Sequence, residues 1–231
     1  MGSSSVFVVG LMNLLNSLQN RKIKKKQLAK DSIYFEQKIL KDVVGSQDQI
    51  AATFGGFNKI IFNKNGSFKL TPINIYSPNV KKLNKNLLLV YTGYKRTAHD
   101  IAKTYVNKLR DSKKNNILEI SSFVKEAEKI LKSKKIDEFG NLLDESWKLK
   151  KSLSSSITSS SIDDIYNDAL KFGATGGKLL GAGGGGFFLF FVPYYRQRSF
   201  IKNFRKLINV PFKFSIGGSE IMFKSLDNNK I

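Results

Sequence analysis

Lys178-Leu179-Leu180-Gly181-Ala182-Gly183-Gly184-Gly185-Gly186-Phe187-Phe188-Leu189-Phe190 decides how this 231-residue chain is read. Five glycines in six positions cannot be helix or ordinary strand, because glycine loses the most conformational freedom in either. The apolar run after them reads as a buried strand over 187–192. A tight structural turn would need only two or three glycines. A run of this length brings bare backbone close to something else, so the stretch reads as a functional loop tucked against a strand.

Working outward, the chain opens Met1-Gly2-Ser3-Ser4-Ser5 and passes directly into Val6-Phe7-Val8-Val9. The first turn of a helix leaves backbone N–H groups without partners and carries the positive end of the dipole. Glycine lets a phosphate approach, and serine hydroxyls add donors or a metal ligand. Taken alone, a serine before an apolar helix is an N-cap. The spacing predicts a helix capped by Ser3 or Ser4 and running to about Leu18. It is apolar nearly all round, which places it in the centre of a domain.

Two carboxylates follow. Glu36 lies on a second predicted helix, 26–40, and Asp48 lies between Gln47 and Gln49 in a loop leading into a short helix. Each alone reads as a surface carboxylate. Beside a phosphate loop they supply what phosphoryl transfer needs: one helps hold Mg²⁺, the other accepts a proton from the attacking hydroxyl.

The remaining pattern is mixed. Asn63-Lys64-Asn65-Gly66 separates two short strands, 59–62 and 67–70, as a hairpin turn. Leu87–Tyr91 is a continuous apolar run and reads as a buried strand. Helices are expected over 97–108, 122–132, 136–153 and 161–172, the last opened by a capping-box-like Ser161-Ile162-Asp163-Asp164. Beyond the glycines, a strand at 187–192, a helix at 198–207 and strands at 211–216 and 220–223 are expected. The chain divides near residue 82, giving domains 1–82 and 83–231.

Composition narrows the function classes. The formal charge is +21, from 39 Lys and Arg against 18 Asp and Glu. Only six of the cations are arginine, at 21, 96, 110, 196, 198 and 205. Arginine is favoured for bidentate phosphate and base contacts, so a lysine-dominated charge reads as a compositional habit and argues against a nucleic-acid partner. There is no cysteine, which excludes disulfides and thiolate metal sites and is compatible with a reducing, cytoplasmic setting. No segment reaches the roughly 18 apolar residues of a membrane span, so no membrane partner is expected. His99 is the single histidine and takes no role.

The three constellations, in this order, resemble the GHMP kinase family of galactokinase, homoserine kinase, mevalonate kinase and phosphomevalonate kinase. The late Lys-x-x-Gly-Ala-Gly-Gly-Gly-Gly motif is complete from Lys178 to Gly186. The Pro-x-x-x-Gly-Leu-Gly-Ser-Ser motif survives as Gly2-Ser3-Ser4-Ser5, with Met1 where the leucine would be. Val44 to Ala52 with Phe54-Gly55-Gly56-Phe57, Leu87 to Tyr94 with Arg96, and Trp147-Lys148-Leu149-Lys150-Lys151 look like the sugar-kinase branch.

The resemblance implies an α+β fold: the remainder of a ribosomal-protein-S5-like N-terminal domain, then a ferredoxin-like C-terminal domain. It implies ATP and Mg²⁺ as cofactors and a small-molecule sugar phosphate as partner, with the oligomeric state left open. On matching positions, Gly2, Ser3, Ser4 and Ser5 would bind the ATP phosphates. Ser4 and Glu36 would hold the metal, and Asp48 would be the catalytic aspartate. Gly181, Ala182, Gly183, Gly184 and Gly185 would form the loop packed beside the phosphates. The acceptor would be the anomeric hydroxyl of heptose 7-phosphate, giving a 1,7-bisphosphate. A fucokinase-like sugar 1-kinase and a non-catalytic remnant are the alternatives. Arg96 is the candidate partner of the sugar's own phosphate, an ordinary surface arginine being the other reading. The family's first motif has no counterpart here, so the resemblance implies an N-terminally truncated member whose 6–18 helix exposes an apolar face.

Overall fold

The structure is a computed structural model that describes residues 2–95, 98–106, 112–205 and 207–223. Its internal contacts group residues 2–72 with 215–223 as one compact unit and residues 73–214 as another. Residue 82, the boundary read from the sequence, lies inside a helix of the second unit.

The first unit runs α1 (Ser3–Leu18), α2 (Lys25–Tyr34), a π-helical turn (Phe35–Ile39), α3 (Gln47–Phe54), and the antiparallel hairpin β1 (Asn58–Phe62) and β2 (Phe68–Pro72). The turn between the strands is the Asn63–Gly66 segment, with Gly66 at φ 78°. Ala29, Ile50 and Phe68 form its small core, with Ile33, Phe54, Ile60 and Leu70 packed on it.

Helix α1 is not buried all round, as its composition alone predicts, but exposes the apolar face that the resemblance implies. Only Ser5, Val8 and Val9 are buried, on the stripe that meets α2 and α3. Val6, Phe7, Leu11, Leu14, Leu15 and Leu18 are exposed. A helix that is apolar all round needs neighbours on every side, and among the described residues α1 has them on one. Its N-cap is Gly2 in a left-handed conformation, not a serine, and no side chain caps it.

The second unit continues with α4 (Ser77–Asn86), β3 (Leu87–Tyr91), α5 (Ala98–Val106), α6 (Lys114–Lys132), α7 (Phe139–Lys151), α8 (Ser160–Lys171), β4 (Gly176–Leu179), β5 (Phe187–Phe191), α9 (Tyr194–Asn203) and β6 (Ile208–Val210). The strands form one antiparallel sheet in the order β4-β5-β3-β6. The fold is α+β. Strand β5 carries the core. Phe188, Phe190 and Phe191 are fully buried, and Phe188 and Phe190, two residues apart on one face, stack at 4.9 Å. Trp147 and Tyr166 close the cluster. Truncating one such phenylalanine to alanine costs about 3–5 kcal/mol.

Several elements differ from the sequence reading. Residues 211–216 and 220–223 are irregular; the last strand among the described residues is Ile208–Val210. Ser159, not Ser161, caps α8, accepting from the Ile162 amide at 3.4 Å. β4 is a strand despite opening Gly176-Gly177. A Cβ at Gly176 would fall 2.0 Å from the Gly140 carbonyl oxygen, and one at Gly177 2.3 Å from the Phe190 ring. The glycines are there because α7 and β5 approach too closely for a side chain. No helix among the described residues is long and apolar enough to cross a membrane.

Candidate active site

The first unit brings Gly2, Ser4, Ser5, Glu36 and Asp48, five of its six predicted site positions, together at the start of α1. The first helical bond runs from the Val6 amide to the Gly2 carbonyl at 2.9 Å, so the amides of Ser3, Ser4 and Ser5 precede any intrahelical acceptor. Gly2 has φ 60°, and a Cβ there would sit 2.7 Å from Asp48 Oδ2. Glycine is therefore required at this position both by its backbone and by the approach of the carboxylate. Asp48 itself is half-buried on the first turn of α3.

Glu36 is fully buried. It lies in the π turn, where the Leu40 amide reaches back to the Phe35 carbonyl at 2.9 Å. Such single-turn π-helical interruptions recur at functional sites. Its carboxylate is held by donors on two helices. Oε1 accepts from Ser4 Oγ at 2.9 Å and Ser5 Oγ at 3.1 Å. Oε2 accepts a short hydrogen bond from Gln49 Nε2. Gln37 Nε2 in turn donates to the Val44 carbonyl at 3.0 Å and Ser46 Oγ at 3.1 Å, tying the 43–46 loop to the π turn.

A hydroxyl that donates its proton to Glu36 keeps its oxygen lone pairs free to meet a cation or accept a further bond. The donor set is all oxygen, the Ser4 and Ser5 hydroxyls and the Glu36 carboxylate, and beside it Gln49 Oε1 is buried with no partner among the described residues. Hard oxygen donors of this kind fit Mg²⁺. No group of three or more His, Asp or Glu side chains gathers among the described residues, so a cation here would draw its other ligands from water or phosphate. Ser3 lies exposed on the same turn.

In the second unit the glycine loop spans the β4–β5 connection. The Leu180 amide donates to the Phe187 carbonyl at 2.9 Å, Gly184 to Ile157 at 2.8 Å, and Gly186 to Tyr94 at 2.9 Å. Gly183 has φ 121°, and a Cβ there would lie 2.8 Å from the Ile157 carbonyl oxygen. The amides of Gly181, Ala182, Gly183 and Gly185 have no acceptor among the described residues. Consecutive free amides of this sort make an anion-binding concavity.

Two lysines support the loop. Lys150 Nζ donates to the Leu179 carbonyl at 3.0 Å and to the Gly181 carbonyl at 2.5 Å. Lys178 Nζ donates to Ser146 Oγ at 2.7 Å. Neither has a carboxylate partner among the described residues. Burial first, and the neighbouring Lys178 second, lower the Lys150 pKa to about 7; burial lowers that of Lys178. Gln49 and Lys150 are the participants that sequence reading passed over. Both stood inside quoted motifs, as Gln47-Asp48-Gln49 and Trp147-Lys148-Leu149-Lys150-Lys151, without a role. Arg96 lies outside the described residues, as does the side chain of His99.

Comparison with known proteins bears on this arrangement. Residues 1–56 match the GHMP kinases N terminal domain, and residues 127–207 match GHMP kinases C terminal. The chain is 35% identical over 209 residues to a D-glycero-alpha-D-manno-heptose 7-phosphate kinase of Campylobacter jejuni, covering 89% of this chain and 61% of that protein. It is 26% identical to a bifunctional fucokinase/GDP-fucose pyrophosphorylase of Arabidopsis thaliana, over 82% of this chain and 18% of that one. Among solved structures, one described as a sugar kinase from Campylobacter jejuni superposes with TM-score 0.70 at 29% identity, over 94% of this chain and 63% of that one. The mevalonate kinase of Methanococcus jannaschii superposes with TM-score 0.67 at 27% identity, over 90% and 62%. The chain thus spans less than two thirds of the length of these relatives.

Proposed function

Because the chain belongs to the GHMP kinase family, we propose that it carries the phosphoryl-transfer groups of an ATP-dependent sugar-phosphate kinase acting on the anomeric hydroxyl of D-glycero-D-manno-heptose 7-phosphate. The observation that carries this reading is the buried Glu36, held at the start of α1 by Ser4 and Ser5, with Asp48 packed against Gly2. Residues 1–82 are then read as the family's N-terminal portion and 83–231 as its C-terminal domain.

In this reading the free amides of the first turn of α1 and the Ser3, Ser4 and Ser5 hydroxyls bind phosphate oxygens. Ser4 and Glu36 hold Mg²⁺, which supplies neutralisation of the charge that develops on the phosphates. Asp48 accepts the proton of the attacking hydroxyl. The new bond joins that oxygen to the γ-phosphorus, the bond to the β-phosphate oxygen breaks, and ADP leaves with the electron pair. The four free amides at 181–185 offer donors to an anionic ligand. Arg96 remains the candidate for the sugar's own phosphate, and a cytoplasmic setting follows from the substrate.

The test is ADP release by the polypeptide carrying this sequence, supplied with Mg²⁺, ATP and heptose 7-phosphate. Asp48→Asn should lower the rate by about 10²–10⁴-fold. The fucokinase resemblance, at 26% identity, names the competing acceptor: turnover with fucose and none with heptose 7-phosphate would replace the substrate assignment.

A further inference from the structure

Gln49 follows Asp48 on the first turn of α3 and is fully buried. Its amide is divided between two surroundings. Nε2 donates to Glu36 Oε2, while Oε1 is buried without a hydrogen-bond partner among the described residues. The amide is oriented with its NH₂, the donor end, toward the carboxylate. Each Glu36 oxygen therefore has its own anchor: Ser4 and Ser5 on Oε1, Gln49 on Oε2. Carboxylates that meet a metal are oriented in this way by the groups bonded to them, and losing such a partner weakens metal affinity.

The unpaired Oε1 is the second observation. Buried amide oxygens are almost always satisfied by protein or by water. Thr53 Oγ1 bonds the Gln49 backbone carbonyl at 2.7 Å, not the side chain. Mg²⁺ gives up its hydration shell reluctantly and usually keeps several waters, each a strong donor.

We propose that Gln49 is a positioning residue for a divalent cation held at Glu36: its Nε2 fixes the carboxylate plane and its Oε1 accepts from a water carried by that cation. The inference rests on the reading of Glu36 and Ser4 as metal-holding groups. It gives the second glutamine of Gln47-Asp48-Gln49 a task distinct from that of Asp48: one turn of α3 carries both the group that takes the proton and the group that aims the metal's carboxylate.

The experiment uses Mn²⁺ as the probe, titrated against the intact chain and followed by the electron paramagnetic resonance of the free ion, with thermal unfolding measured alongside. Gln49→Met keeps the reach of the side chain and removes the amide. It should weaken Mn²⁺ binding about 10- to 100-fold while the folded fraction at the working temperature stays at the wild-type value. Glu36→Gln should lose the site. If Gln49→Met binds Mn²⁺ as wild type does and Glu36→Gln does not, the positioning role is overturned and the metal reading stands. If the wild type takes up no Mn²⁺, or Glu36→Gln takes it up unchanged, the metal reading falls and the inference with it. A measurement on the wild type alone guards against a misfolded variant: the side-chain ¹⁵N resonance of Gln49 should move as Mg²⁺ is added, and a resonance unmoved at saturation overturns the proposal.

Discussion

At the start of α1 side-chain groups join the free backbone amides; at 181–186 the polar groups come from the backbone alone. The first loop places a buried carboxylate behind two serine hydroxyls and a glutamine amide. The second offers free amides on a run of glycines, braced from outside by Ile157, Tyr94 and Lys150. The two demand different things of the fold. A buried charge needs donors brought from distant parts of the chain, or it costs far more than its contacts return. A backbone loop needs only positive φ angles and no Cβ in the way. The first unit accordingly stores its specificity in a side-chain network over a small core. The second stores it in a glycine run hung on a large aromatic one.

That contrast can be strained at several points. The largest stability loss should follow removal of the ring on which β5 is built. Phe190→Ala should cost about 3–5 kcal/mol in urea unfolding read by the fluorescence of Trp147, the single tryptophan, buried in the same cluster. A loss under about 0.5 kcal/mol, the size of an exposed-site change, would mean that the aromatic cluster does not anchor the sheet. Next, Gly183→Ala should destabilise the same transition by about 1–3 kcal/mol, since the new Cβ meets the Ile157 carbonyl at a φ of 121°. An unchanged midpoint would show that the glycine run is needed for ligand approach and not for its own geometry.

The third effect is a slope. Lys150 has a folded pKa near 7, below its unfolded value of 10.5, so between those limits the unfolded chain binds more protons than the folded one. Stability should then rise with pH above 7, by at most about 1.4 kcal/mol per pH unit for one proton. Lys150→Met should flatten part of that rise, leaving what Lys178 contributes in the same direction. Denaturation midpoints of the two proteins measured from pH 6 to pH 10 compare the slopes directly. Parallel curves would show that Lys150 is solvated and does not brace the loop.

Much of this was legible in the chain because it depends on local rules. Leu87–Tyr91 is a strand with the bounds its apolar run gives. The Asn-Gly turn makes a hairpin. A glycine run cannot be regular structure. What escaped local rules were features set by neighbours. Strand β4 went unread, because it opens with Gly176 and Gly177, which are there since α7 and β5 leave no room for side chains. The serines before α1 look like caps, yet Ser4 and Ser5 turn to Glu36 and the left-handed Gly2 takes the cap position. Helix α1 looks central, yet six of its large apolar side chains are exposed.

By itself, then, the sequence determined which residue types stand ready: a glycine run, serines ahead of an apolar helix, one carboxylate on a helix and another in a polar loop, and the α+β order of elements. Period and propensity act over a few residues and are written in neighbouring positions. Only the tertiary structure decided that Glu36 is the buried member of the pair and Asp48 the half-buried one. It alone gave Gln49 to Glu36 and Lys150 to the glycine loop. Those assignments depend on which donors arrive from residues distant in sequence, and the free energy of a buried charge is set by just those arrivals.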